Sequence, residues 1–303
     1  MLNCCIFFDC HGGAIWKYLR QNEEFMKKYT LDYSNLISIN NYVNGNKYSN
    51  NTDLIKEHKT IIKNADVLIL QIIEKDRGFL NNNEVIQLCK KDCIIIKIPH
   101  YRNSVYKYIN MGGREDDYNI FKFHPTLKDK WELSNQIKDI NNVDETIDII
   151  KKNITSMNNF SRDIEKMKIS LNNKIIEFEK IDAKSDIKML DFYNDNYKKY
   201  KLFNSRSYPS SIFFYELTNR ILNKLNINYN KNFIDIYFAV NKSEPIPDYW
   251  YNFCNFSFSK KLCIYEGIEI EEYEWYYLLL LSNNIDYVNS KEEILRLLDI
   301  IRK

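Results

Sequence analysis

The chain is poor in the residues that build loops and extended stalks: its 303 residues include seven glycines and five prolines. That scarcity excludes collagen-like and linker-rich architectures. Charge of one sign is missing too, with 43 Lys plus Arg against 41 Asp plus Glu and a net of +2. The basic residues form no tract, so nucleic acid is not an expected partner. Long apolar runs are also absent. The first run lacks a basic leader and stops at Asp9, and the longest later one, residues 275–281, contains two tyrosines; neither reads as a signal peptide or a membrane span. The seven cysteines are an odd number, and no Cys and His spacing makes a zinc site, so no metal is expected. Cys89 and Cys93 read as packing residues with free thiols, which fits a reducing, cytoplasmic setting.

What the chain does have is a strand and helix rhythm. Cys4-Cys5-Ile6-Phe7-Phe8 is an apolar run that breaks into Asp9-Cys10-His11-Gly12-Gly13-Ala14 and then a helical pattern over residues 14–28. Residues 36–39, 67–71 and 93–98 read as further strands, with helices over 52–63 and 83–90 between them. This alternation predicts an α/β fold with a parallel Rossmann-like, SGNH-like sheet flanked by helices and a helix-rich second half. The expected organisation is a single domain. Residues 1–125 form its alternating core, and residues 126–303 form a helical elaboration completing the site. In such sheets ligands bind outside the carboxyl ends of the strands, here Asp9-Cys10, Asn40, Gln71 and Pro99-His100.

Beyond residue 100 lies an irregular aromatic segment holding His100 and His124, each beside a proline. A stripe of Phe160, Ile164, Met167, Leu171, Ile175 and Phe178 then predicts a helix that covers the sheet. Further on, Pro209 precedes a helical pattern in the first-turn position that suits proline. The start of that helix, with Ser210, Ser211 and Arg206, suits a phosphate or carboxylate.

Three blocks in this order resemble the WcbI family of polysaccharide-biosynthesis proteins, regarded as coenzyme A-binding acetyltransferases. They are Phe8-Asp9-Cys10-His11, Ala65-Asp66-Val67-Leu68-Ile69-Leu70-Gln71, and Ser207-Tyr208-Pro209-Ser210 shortly after Phe203-Asn204. Family members carry Gly-Asn-Cys-Gln in the first block and Asn-His-Pro-Ser or Thr in the last. His11 and Tyr208 are therefore departures. The resemblance implies transfer of acetyl from acetyl-CoA to an amino or hydroxyl group of a sugar or nucleotide sugar in glycan assembly. Where the family histidine is a proton acceptor, His11, His100 or His124 must replace it.

Such a transfer needs a base, oxyanion donors and a phosphate groove. His11 is the first choice as base, with Asp9 or another carboxylate able to orient it; its alternative is a hydrogen bond to a carbonyl within the turn. Cys10, at a helix start beside an imidazole, has a setting that lowers a thiol pKa, so it is a candidate nucleophile as well as a candidate packing residue. The amides of Gly12, Gly13 and Ala14 are candidate donors. Gln71 contacts either the first loop or the ligand. His100, Tyr101, Arg102 and His124 are expected to frame the acceptor. Arg206 and the Ser210-Ser211 helix start are expected to contact the coenzyme A phosphates, with a solvated arginine as the plain reading of Arg206, and Asn204 and Tyr208 are expected to bind substrate or cofactor. An SGNH-like esterase or deacetylase is the competing enzyme, although no serine occupies the first loop and no late Asp-x-x-His follows. A non-catalytic binding protein for coenzyme A or the glycan pathway is the third reading.

Overall fold

Strand β1 (Leu2–Phe8) buries five consecutive side chains, Cys4 to Phe8. That needs cover on both sheet faces, which parallel neighbours and flanking helices provide. The strand lies between β2 (Tyr29–Asn35) and β3 (Val67–Ile72), with β4 (Ile94–Pro99) beyond β3. All the pairings are parallel and the order is β2-β1-β3-β4. The fold is therefore α/β, and the chain's direction of winding reverses between β1 and β3. The crevice at the carboxyl ends of those two strands is where open α/β sheets bind ligands. The computed structural model describes residues 1–35, 52–72, 81–103, 105–106, 142–159, 164–205, 208–228, 242–243, 246, 248–258, 264–265, 268–271, 273–274, 277–278 and 291–302.

Two compact units share the chain. One comprises Met1–Arg102, Glu177–Asn194 and Ser207–Tyr237, and the other Asn103–Ile176, Asp195–Arg206 and Phe238–Lys303. In the first unit, α1 (Cys10–Arg20) covers the sheet face that carries Ile6 and Phe8. The opposite face, Cys5, Phe7, Leu68 and Leu70, packs against Ile62 of α3 (Thr52–Asn64) and Val85 of α4 (Asn82–Leu88). The base of the sheet is closed by Asp66, whose carboxylate accepts from the Asn3 amide at 2.7 Å and from Lys90 Nζ at 2.7 Å. The aspartate of the Ala-Asp-Val block thus sits at the end of the strand remote from Gln71.

Two sequence expectations change here. The helix expected over residues 14–28 is broken, because Asn22 caps a second helix, α2 (Glu23–Lys28), by accepting from the Phe25 amide at 2.8 Å. The second strand is Tyr29–Asn35 and follows α2 directly; the apolar residues 36–39 lie outside the described residues. The alternation Tyr29, Leu31, Tyr33 against Thr30, Asp32, Ser34 is a half-buried strand pattern, less conspicuous than the apolar run after it.

In the second unit, α5 (Val143–Asn159) packs with the final helix, α10 (Lys291–Ile301), around Ile147, Ile150, Ile294 and Leu298. Three short antiparallel strands, β7 (Lys242–Ser243), β8 (Ile264–Tyr265) and β9 (Ile268–Glu269), form a separate sheet. The helix α9 (Asp248–Cys254) is pinned by Trp250, whose indole donates to the Val105 carbonyl at 2.7 Å. The predicted stripe falls on α6 (Ile164–Asp182), where Met167 and Phe178 are buried but Ile164 is exposed; Phe160 lies outside the described residues. The remaining elements are α7 (Leu190–Asn196), β5 (Phe203–Ser205), β6 (Tyr208–Pro209) and α8 (Ser211–Lys224).

Candidate active site

Asp9 leaves the end of β1 buried, and four groups converge on it. Its Oδ1 accepts from the His11 amide at 3.0 Å and so caps α1. Its Oδ2 accepts from Gln71 Nε2 at 3.0 Å and lies 2.7 Å from His100 Nδ1. Its own amide donates to Gln71 Oε1 at 2.7 Å. Gln71 therefore grips Asp9 from backbone and side chain at once, which explains an amide at the end of an otherwise apolar strand. Gln71 in turn receives Asn82 Nδ2 on its carbonyl at 2.7 Å.

The imidazole that the carboxylate holds is that of His100. The hydrogen bond between Asp9 and His11 runs through the His11 amide, and the ring at hydrogen-bond distance from the carboxylate is that of His100. The reason is geometric: a residue two positions after an N-cap offers its amide to the cap, while its side chain projects elsewhere. The His11 ring lies against that of His100, with centroids 4.1 Å apart, and meets Phe214 and Tyr208 edge-on at 5.4 and 5.6 Å. His11 is buried, whereas the His100 side chain remains 30% exposed. Burial raises the Asp9 pKa, but the hydrogen bond to His100, the positive charge of both imidazoles and the His11 amide outweigh it. The carboxyl stays well below its usual range.

Cys10 is exposed at the first position of α1. Its thiol pKa is raised, first by desolvation and then by the Asp9 charge, against the favourable amides of Cys10 and His11. The expected lowering is thus reversed: desolvation first, and the Asp9 carboxylate second, outweigh the helix start.

The glycines also differ from expectation. The Gly12 amide donates to the Asp9 carbonyl at 2.9 Å, so it caps the turn and does not offer itself to a ligand. A Cβ on Gly12 would stand 2.5 Å from Phe8 Cβ and 2.6 Å from the Tyr33 ring, so glycine is required there by the close approach of α1 to the sheet. Tyr33 is the residue that sequence reasoning missed. Its hydroxyl donates to the Asp9 carbonyl and its ring covers Gly12 and Gly13. The alternation of β2 was the available signal.

Of the other predicted residues, Tyr101 is a core side chain: its hydroxyl donates to Asp182 Oδ1 at 2.7 Å and its ring packs on Phe178 and Phe213. It cannot face an acceptor, because the carboxylate that caps α7 holds it inward. Arg102 is exposed. Tyr208 is 45% exposed beside His11. Ser210 is the N-cap of α8 and is buried, yet its hydroxyl makes no capping bond and has no hydrogen-bond partner. The helix it begins packs on α1, with Tyr18 Oη donating to the Ser211 carbonyl at 3.1 Å. Asn204 is buried in the second unit, and His124 and Arg206 lie outside the described residues.

No helix of the described residues is long and apolar enough to cross a membrane. No family model and no curated protein matches the chain. Among solved structures the chain is similar to WcbI, described as a novel polysaccharide biosynthesis enzyme, in its native form without a disulfide bond between coenzyme A and a cysteine. The identity is 12%, the match covers 97% of each chain, and the TM-score of 0.55 makes this a likeness of fold.

Proposed function

We propose that the protein is an acyltransferase that moves acetyl from acetyl-CoA to an amino or hydroxyl group of a sugar or nucleotide sugar in glycan assembly. The observation that carries this reading is the buried Asp9 carboxylate held by Gln71 and paired with the half-exposed His100, beside the exposed Cys10 at the mouth of the sheet. The likeness of fold to a polysaccharide biosynthesis enzyme described with coenzyme A supports the substrate class.

The residues present fit a coenzyme A thioester. The unpartnered Ser210 hydroxyl, at the start of a helix that packs on α1, suits a phosphate, and the amides of that first turn would share it. Acetyl-CoA supplies an acetyl group activated as a thioester. Asp9 holds a proton on His100 Nδ1, which leaves Nε2 as the basic nitrogen. His100 Nε2 takes the proton of the acceptor as its oxygen or nitrogen bonds to the acetyl carbon, and returns it to the sulfur as the thioester bond breaks. General base catalysis of this kind contributes about 100-fold to 10,000-fold. His11 lies against the His100 ring and is itself met edge-on by Phe214 and Tyr208, and Tyr208 offers an exposed aromatic face to a sugar.

The test is release of free coenzyme A from acetyl-CoA across a panel of amino and neutral sugars and nucleotide sugars. His100→Gln is expected to lose at least 100-fold in turnover while keeping coenzyme A affinity by calorimetry. Full turnover in that variant removes His100 as the base, and no acceptor-dependent release with any sugar refutes the function.

A further inference from the structure

The spacing of cysteines and histidines along the chain holds no metal motif, but the tertiary structure brings His100 to the turn that carries Asp9 and His11. Asp9, His11 and His100 bring one carboxylate oxygen and one nitrogen of each ring to within 4.8 Å of one another. From this cluster we infer that the protein binds a divalent transition ion of the zinc class, with Asp9, His11 and His100 as its protein ligands.

Three features carry the inference. The donor set is two imidazoles and one carboxylate, which suits zinc and its first-row neighbours and not calcium or magnesium. A tetrahedral zinc with bonds of about 2.0–2.1 Å separates its ligand atoms by roughly 3.3 Å, so the Asp9–His100 pair at 2.7 Å opens slightly and the His11 ring turns inward when an ion enters. Second, Asp9 is a buried carboxylate with no Lys or Arg among its partners in the described residues; its oxygens meet the His11 amide, the Gln71 side chain and His100. Positive charge reaches it as a proton on an imidazole or as a cation between the two rings. Third, the carboxylate stays in place when His100 exchanges its proton for an ion. Gln71 Nε2 still holds Oδ2 and the His11 amide still holds Oδ1, the outer support that orients a ligating carboxylate. The 30% exposure of the His100 side chain gives the ion an entry path.

Binding rests on this geometry and not on the acyl-transfer reading: an ion on His100 Nδ1 leaves the ring proton on Nε2, so the ion-bound form is not the one in which His100 acts as base, and binding is measured with the metal alone. The whole chain is titrated with Zn2+ by calorimetry and with Co2+ by visible absorption under reducing conditions, with Cys10→Ser alongside because the chain's thiols also take zinc. One equivalent is expected, with the ligand-field bands of a low-coordinate cobalt site that lacks a thiolate charge-transfer band. Affinity should drop at least 100-fold in His11→Ala and in His100→Gln and stay unchanged in Cys10→Ser; Gln71→Leu should lose about 10-fold through the outer support. Should the buried His11→Ala fail to fold, His100→Gln with a native melting curve decides the matter alone. Absence of stoichiometric binding, or affinity unchanged in His100→Gln, overturns the proposal whether or not the protein transfers acetyl groups.

Discussion

Replacing Gly12 with alanine places a methyl group where the first turn of α1 meets the sheet. The added carbon would stand 2.5 Å from Phe8 Cβ, 2.6 Å from Tyr33 Cε2 and 3.3 Å from Ile6 Cγ2. Carbon atoms pack at about 3.5–4.0 Å, so two neighbours must each recede by roughly 1 Å. Neither is free to do so cheaply. Phe8 Cβ is fixed to the backbone of β1, which pairs with strands on both sides, and the Tyr33 ring is anchored by its hydroxyl on the Asp9 carbonyl. The helix must lift instead. Overpacking of this kind costs about 3 kcal/mol at the upper end of its usual range. The gain of alanine over glycine in a helix offsets about 1 kcal/mol. The net loss of about 2 kcal/mol corresponds to a melting temperature lower by roughly 4–8 °C for a domain of ordinary size. Gly13→Ala provides the internal control, since its Cβ would lie 3.7 Å from the Tyr33 ring, an ordinary contact. That variant should be neutral or more stable by up to about 1 kcal/mol. Thermal and urea unfolding followed by circular dichroism measure both. Gly12→Ala melting at or above the wild-type temperature, or the two variants shifting alike, refutes the close-packing account.

The Asp9 carboxyl titrates lower in the folded protein than in the unfolded chain, so its stabilisation is present above the unfolded pKa of about 4 and is lost as pH falls toward the folded value. Urea midpoints taken from neutral to acid pH should fall steeply in the wild type and less in Asp9→Asn; parallel curves would contradict the assignment. Cys10 is an exposed thiol and its pKa is raised, whereas Cys4 and Cys5 are buried, with burial pushing Cys5 up to about 12. Iodoacetamide on the native protein should therefore label Cys10 before Cys4 and Cys5, at a rate still climbing above pH of about 8.5. A rate that levels off at neutral pH would mean that desolvation and the Asp9 charge do not raise the thiol pKa.

Strands β1, β3 and β4 were legible because buried parallel strands are nearly continuous apolar runs, and each strand end carried a polar residue that interrupted the run: Asp9, Gln71 and His100. The second strand was not, because Tyr29–Asn35 alternates and is overshadowed by the apolar residues at 36–39. The break at Asn22 was hidden for a related reason. Helical spacing continues across residues 14–28, and only the capping contact with Phe25 separates α1 from α2. At the site, Gly12, read from sequence with Gly13 as part of a ligand-facing cradle, is required by packing, since a sequence does not reveal that a Cβ there would stand 2.5 Å from Phe8 Cβ and 2.6 Å from the Tyr33 ring.

Local chemistry alone determined that a carboxylate, a thiol and an imidazole follow the first strand and that a glutamine ends the third, because those facts depend on hydrophobic period and residue order. The tertiary structure decided which imidazole the carboxylate holds. The order β2-β1-β3-β4 sets β1 beside β3 and brings the end of β4 near, so Gln71 and His100 converge on Asp9 from far along the chain. The ring of the adjacent His11 turns toward His100 instead of the carboxylate. Strand order is a contest among long-range pairings and helix packing, and no local pattern in the sequence encodes its outcome.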